Sequence, residues 1–231
     1  MKSNRLCFIK LSLISFLIFI IGLYPVVIYC LILFRFLNLS LWWQWLLIPI
    51  LFYFGFVLTY YGEILISGAI IRFFRIYYEA GDFVYSYTDK NAFKWILICT
   101  LYTPARKLIE IFPVGGIKNR YYRLLGMKIG NNTLVGGVIK DPCMTSFGSN
   151  STMGEYAIIY AHITNYATEK LTIKPVSIGN NCVIGAGAII MPGVTIDDNV
   201  IVAAGAVVTQ NQHLLSNRIY TGIPAKSIQK K

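Results

Sequence analysis

Two histidines occur in the chain, and one of them, His162, stands where a regular repeat breaks off. A neutral imidazole accepts a proton near physiological pH, and a side chain held between a rigid scaffold and a loop is well placed for chemistry. His162 is therefore a candidate general base. A lone histidine is more often an ordinary surface residue, so the break in the repeat is what singles this one out. His213 lies past the last repeat and reads as surface. Asp141 and Glu155 are the nearest acidic candidates for orienting the imidazole, and Asn165 follows it in the chain. Asn180 and Asn181, about one coil further on, are candidate donors to an oxyanion, beside backbone N–H groups. Two histidines are too few for a three-histidine zinc site, and Cys7, Cys30, Cys99, Cys143 and Cys182 form no CxxC pair. No metal is expected, and the thiols read as reduced and structural.

The scaffold is legible in the spacing. Ile129, Val135, Phe147, Met153 and Ile159 fall in a six-residue register broken at Asp141, and Ile178, Ile184, Ile190, Ile196, Val202 and Val208 continue it, shifted by one. A helix needs apolar spacing of three and four and a strand strict alternation, so neither explains a period of six. Three six-residue faces make a triangular coil, with the large aliphatic side chain inside. Gly130, Asn131, Asn132, Gly179, Asn180, Asn181, Asp197 and Asp198 suit its corners, where positive φ is common. Stacked coils pair each strand with its equivalents above and below, and the polar segment after Thr209 is expected to cap them. Between Asn165 and Pro175 the repeat is absent, so a loop leaves the prism directly after His162.

The composition, 56% hydrophobic and only 13% charged, is too apolar for an ordinary soluble domain. Leu11 to Phe34 is uncharged and longer than the ~20 residues that span a bilayer; Phe36 to Gly62 is a second such run with Trp42, Trp43 and Trp45 at one end and Tyr60 and Tyr61 near the other. Two transmembrane helices joined around Asn38 and Ser40 are expected over residues 1–72. No small-residue cleavage site separates the runs, which argues against a removed leader. Lys2, Arg5 and Lys10 precede the first run and Arg72, Arg75, Lys90 and Lys94 follow the second, which predicts cytoplasmic termini and a cytoplasmic coil domain on an integral protein of the cytoplasmic membrane. Residues 73–122 read as interfacial amphipathic helices, the apolar stretch from Trp95 stopping at Pro104; the alternative is a third, kinked span over Phe93 to Phe112, in which Lys94, Arg106, Lys107 and Glu110 would be costly. Residues 123–213 are then the coil and 214–231 its cap. The net charge of +11 suits a membrane surface or an anionic cofactor, and no nucleic-acid module is present.

The segments IGNNCVIGAGAIIMPGVTI, VAAGAVVT and GIPAK, within Ile178 to Lys226, resemble the acyl-CoA-dependent hexapeptide-repeat acyltransferases, which include galactoside and serine acetyltransferases. RLLGMKIG at Arg123 to Gly130, DPCMTSFG at Asp141 to Gly148 and YAHITNYATEKLTIKPVSIG at Tyr160 to Gly179 look more like the membrane acyltransferase-like terminal domain of polylysine-synthetase-type peptide synthetases. The resemblance covers roughly Phe83 to Ile228 and is stronger for fold than for substrate. It implies a mainly β protein with a left-handed parallel β-helix, and an enzyme moving an acyl group from acetyl-CoA or another acyl-CoA to a hydroxyl or amine acceptor. It makes His162, before its loop and a PVxIG stretch, the general base. Relatives often have acids shortly after this histidine, where Asn165 and Tyr166 stand here. By resemblance to galactoside acetyltransferase, Ala186, Ala204 and Thr209 line the pantetheine groove and Lys226 meets the nucleotide end; Arg218 is added for its charge. A homotrimer with sites between neighbouring prisms is implied, and a small molecule, lipid or peptide as acceptor. The alternative is a non-catalytic trimeric β-helix that binds or assembles, anchored to the membrane.

Overall fold

The computed structural model describes residues 2–37, 41–112 and 116–228, so the turn expected around Asn38 and Ser40 and the chain end, 229–231, lie outside the described residues. The chain divides into two compact units, Met1–Ile76 with Leu97–Pro113, and Tyr77–Ile96 with Val114–Lys231.

The first unit is helical: α1 (Lys2–Gly22), α2 (Tyr24–Phe36), a short 3-10 turn (Trp42–Leu47) and α3 (Ile48–Phe73), with most of α4 (Lys90–Ile111). Two stretches, Cys7–Phe36 and Trp42–Phe73, of 30 and 32 residues, are long and apolar enough to cross a membrane by length and composition. The second outruns the uncharged run, because Glu63 does not end α3. Its carboxyl lies against Gly22, where an added Cβ would meet the carboxyl carbon at 2.7 Å, so the two helices approach closely at a residue with no side chain. Pro104 does not stop α4 as expected. It removes a single amide donor, and buried Leu101, Tyr102 and Ala105 hold the turns on either side of it.

The second unit is a prism of three stacked parallel faces. One inward row runs Ile129, Phe147, Ile178, Ile196, Leu214; the next Val135, Met153, Ile184, Val202, Tyr220; the third Ile139, Ile159, Ile190, Val208. These parallel faces fit a left-handed β-helix. The third row corrects the repeat count: Ile139, not Asp141, fills the inward slot. Gly136 and Gly137 shorten that corner, since a Cβ on Gly137 would lie 2.3 Å from the Ala157 carbonyl oxygen. The residues so saved form the Pro142–Met144 turn on the next corner, and Asp141 is carried there. The coil also extends further than expected, because Leu214 and Tyr220 keep the six-residue step. Only Lys226–Ile228, antiparallel to Ile219–Thr221, departs from it.

The outward rows differ by face. The first carries Lys128, Ser146, Ser177, Thr195 and His213; the second Leu134, Thr152, Val183, Ile201 and Ile219; the third Val138, Ile158, Ile189 and Val207. Two faces are thus apolar on the outside as well as the inside, and one is polar.

The excursion after the second coil is a hairpin, His162–Asn165 against Lys170–Ile173, with Gly81–Val84 added antiparallel to its second strand. Part of the segment expected to be interfacial helix is therefore a strand. Asn165 closes the hairpin, its side-chain oxygen accepting from the amides of Ala167 and Thr168.

Candidate active site

Each coil turns three corners, and the candidate residues sort onto them. Asp141, His162 and Thr209 lie on the corner between the third and first faces. Glu155, Ala186 and Ala204 share the corner between the second and third, and Asn180, Asn181 and Arg218 the corner between the first and second. The structure brings Asp141 and His162 into contact and leaves the other candidates apart from the pair. Asn180 is engaged in the corner ladder: its side-chain oxygen accepts from the Ser149 amide, and its own amide donates to Asp198. Asn181 adopts φ 54°, the left-handed turn conformation that its side chain tolerates. Asn165 does the work of a turn, and Glu155, Ala186, Ala204, Thr209, Arg218 and Lys226 are exposed.

Asp141 is fully buried, and each carboxylate oxygen accepts from two donors. Oδ2 takes the Ala161 amide at 2.9 Å and faces His162 Nδ1 at 2.7 Å; Oδ1 takes Tyr78 Oη at 2.8 Å and Trp95 Nε1 at 3.1 Å. Burial alone would raise this carboxyl, but the hydrogen bond and charge of His162, the Ala161 amide and the Tyr78 hydroxyl outweigh it and hold it below the usual carboxylate range. An ionised carboxylate only accepts, so Nδ1 of a neutral His162 is the donor to it. Nε2 then carries the lone pair, with no protein partner among the described residues.

Aromatic rings pack against the imidazole as well. Its ring centroid lies 4.7 Å from that of Trp95, at 63°, and 6.1 Å from that of Tyr160, at 77°. Its side chain keeps 17% of its exposure, so the ring is enclosed but reachable. Beyond it an aromatic row continues from Trp95 to Tyr85 and on to Tyr166, which is exposed on the hairpin. Burial pushes the neighbouring Cys143 thiol up to about 11, which leaves it a protonated packing group at neutral pH.

His213 is not past the repeats but within a coil strand, exposed, with Nε2 at 2.8 Å from Asp197 Oδ1. Tyr78, Trp95 and Tyr160 are the parts of the site that residue spacing missed. Tyr78 and Trp95 precede the repeats and carry no periodic signal, and Trp95 opens the stretch read as an interfacial helix.

The family described as hexapeptide repeat of succinyl-transferase matches residues 175–210. YvoF of Bacillus subtilis (strain 168), whose acetyltransferase activity is itself an assignment, is 39% identical over 89 residues, covering 36% of this chain and 51% of that protein. The chain thus spans about half the length of this relative. Among solved structures, a maltose O-acetyltransferase from Clostridium difficile 630 aligns at TM-score 0.45 and 23% identity, covering 56% of this chain and 84% of that one. Galactoside acetyltransferase in complex with coenzyme A aligns at 0.40 and 20%, covering 53% and 75%. The chain is therefore similar to hexapeptide-repeat acetyltransferases, with residues 175–210 the segment that carries the family's repeat.

Proposed function

We propose that the protein is a membrane-anchored acyltransferase that moves an acyl group from acetyl-CoA or another acyl-CoA to a hydroxyl or amine acceptor, with His162 as general base and Asp141 as its positioning residue. One observation carries this reading: the Asp141–His162 pair at the root of the hairpin, with the carboxylate on Nδ1 and Nε2 left to the substrate. The acceptor's proton goes to Nε2 as its oxygen or nitrogen attacks the thioester carbonyl. The tetrahedral intermediate collapses with loss of the thiolate, which takes the proton back from the imidazolium. No enzyme-bound intermediate is needed.

The donor fits the remaining surface. Ala186 and Ala204 stack on one corner, where the Gly205 amide donates to the Ala186 carbonyl, and such small side chains leave backbone accessible to a pantetheine arm. Thr209 lines the groove from the histidine corner instead, and Lys226, with Arg218 in a lesser part, offers charge to the nucleotide phosphates. No step needs a metal, and the described residues contain no cluster that could hold one. Within one chain Ala186 and Ala204 occupy a different corner from His162, and two outer faces are apolar. Both features support a homotrimer whose sites form between the histidine corner of one prism and the small-residue corner of the next.

The long apolar helices support an anchor in the cytoplasmic membrane with the coil on the cytoplasmic side and α4 and a further helix, α5 (Ile117–Leu124), at the interface. The resemblance of the wider segment to the polylysine-synthetase-type terminal domain agrees with that form. The acceptor is then a small molecule, lipid or peptide at the membrane surface. The test is release of coenzyme A from acetyl-CoA by the full chain in vesicles, with mass spectrometry of the acylated product; absence of transfer with every membrane and soluble fraction offered would sink the reading.

A further inference from the structure

We infer that Tyr78 and Trp95 are positioning residues for His162, acting through Asp141 to fix which imidazole nitrogen carries the proton. The inference rests on the reading of His162 as a base and goes beyond it, because neither residue belongs to the repeats. An ionised carboxylate offers about four lone-pair sites, and the four contacts named above occupy them in pairs. Tyr78 and Trp95 both sit on Oδ1, 2.8 and 3.1 Å away. With Oδ1 held from that side and Oδ2 fixed by the Ala161 amide, the carboxylate cannot rotate to offer His162 another oxygen, and it stays ionised though buried. The Nδ1–H tautomer is then the one in which every group is satisfied, and it is the one that leaves the Nε2 lone pair free.

Trp95 has a second hold on the same residue, since its ring packs at 63° to the imidazole with centroids 4.7 Å apart. Removing its N–H while keeping a ring separates the two contributions. Trp95→Phe and Tyr78→Phe each delete one donor to Oδ1, and the double variant deletes both. A carboxylate short of donors on one side is more easily protonated and freer to rotate. A protonated carboxyl presents a donor to Nδ1 and drives the proton onto Nε2, the tautomer that cannot accept from the acceptor group.

With two histidines in the chain, 15N-histidine labelling reads this directly. In the full chain in detergent micelles, at a pH where both rings are neutral, His162 is expected to show Nδ1 protonated and Nε2 bare. His213, bonded through Nε2, is the internal control and a check on folding, with His213→Gln assigning the signals. The single variants are expected to mix in the opposite tautomer at His162 and leave His213 unmoved, and the double variant to do so further. In the acyl-transfer assay each single variant is expected to lose about 10-fold in kcat at unchanged KM, a part of the 10²–10⁴ that a general base supplies. That loss should vanish in an Asp141→Asn background, as it must if both act through one carboxylate. An unchanged His162 tautomer in the folded double variant, or in both single variants if the double fails to fold, overturns the inference. A responsive tautomer without any transfer from acetyl-CoA leaves the positioning intact and removes the acyltransferase reading instead.

Discussion

Asp141 and His162, twenty-one residues apart in the chain, meet at 2.7 Å because the shortened corner at Gly136 and Gly137 carries Asp141 onto the next corner, the one from which the hairpin leaves. Neither irregularity suffices alone. The first moves an acid out of the coil wall onto a corner, and the second holds a histidine at the corner above.

If His162 is the base, His162→Gln should keep the coil and lose transfer by about 10²–10⁴-fold in kcat, with KM for acetyl-CoA little changed. Glutamine keeps a donor for Asp141 and cannot accept a proton. Steady-state kinetics beside a circular dichroism spectrum decide it, and full activity in the variant would remove His162 from the mechanism.

Asp141→Asn should cost about 3–5 kcal/mol at neutral pH, since an amide nitrogen then faces two donors in a buried site. The pH dependence has a definite sign. A carboxyl held below its unfolded value of about 3.9 stabilises the fold above that pH, and the contribution fades as pH falls through the lower folded value. Urea titrations should therefore show the gap between parent and variant narrowing below about pH 4. A gap that is constant with pH would mean that the carboxylate is not ionised in the folded protein.

Gly185→Ala tests the stacking. A Cβ there would sit 2.4 Å from the Ala204 backbone nitrogen, which cannot move aside as a side chain can. A loss of several kcal/mol, of the order of 3, is expected, against less than about 1 for an alanine at an open corner such as Ala186→Ser. Thermal melts of the two variants separate the cases.

The period of six was enough to read the prism, because each large aliphatic side chain has one place to go and reappears when the coil returns. The spacing went wrong where backbone replaced side chain as the determinant. Gly136 and Gly137 let the chain cut a corner, so Ile139 took the slot counted for Asp141. Spacing alone ends the coil too early because Leu214 and Tyr220 are embedded among polar residues. At the site, His162 was legible from the break that follows it, and Asp141 from being an acid where none belonged. Tyr78 and Trp95 were not, since contacts made by residues 63 and 46 positions upstream of Asp141 leave no mark on a local pattern. The first apolar run divides at Leu23 into α1 and α2, and Glu63 hid the length of α3: composition sees a charge, and only packing sees that Gly22 makes room for it.

Coenzyme A should raise the melting temperature of the purified protein, because a ligand bound only by the native state stabilises it, by about 2.7 kcal/mol at one hundred times its Kd. Ala204→Trp should abolish the shift, and His162→Ala should keep it, since one fills the groove and the other removes only the base. A shift that survives Ala204→Trp would move the donor to another surface.

Mixing chains tests where the site is completed. If His162 of one prism works with the small-residue corner of its neighbour, His162→Ala and Ala204→Trp chains are each inactive alone but complement each other. In a trimer refolded from an equal mixture, each site draws one corner from each of two chains. About a quarter of the sites should then have both corners intact. Activity should therefore return to about a quarter of the parent's, with mass analysis of the detergent-free coil domain or of the micellar full chain giving three copies. If both corners belonged to one chain, every chain in the mixture would carry one damaged corner, and no activity would return at any ratio. The ratio dependence is equally specific, since the yield of intact sites is largest at equal amounts and falls toward either pure variant.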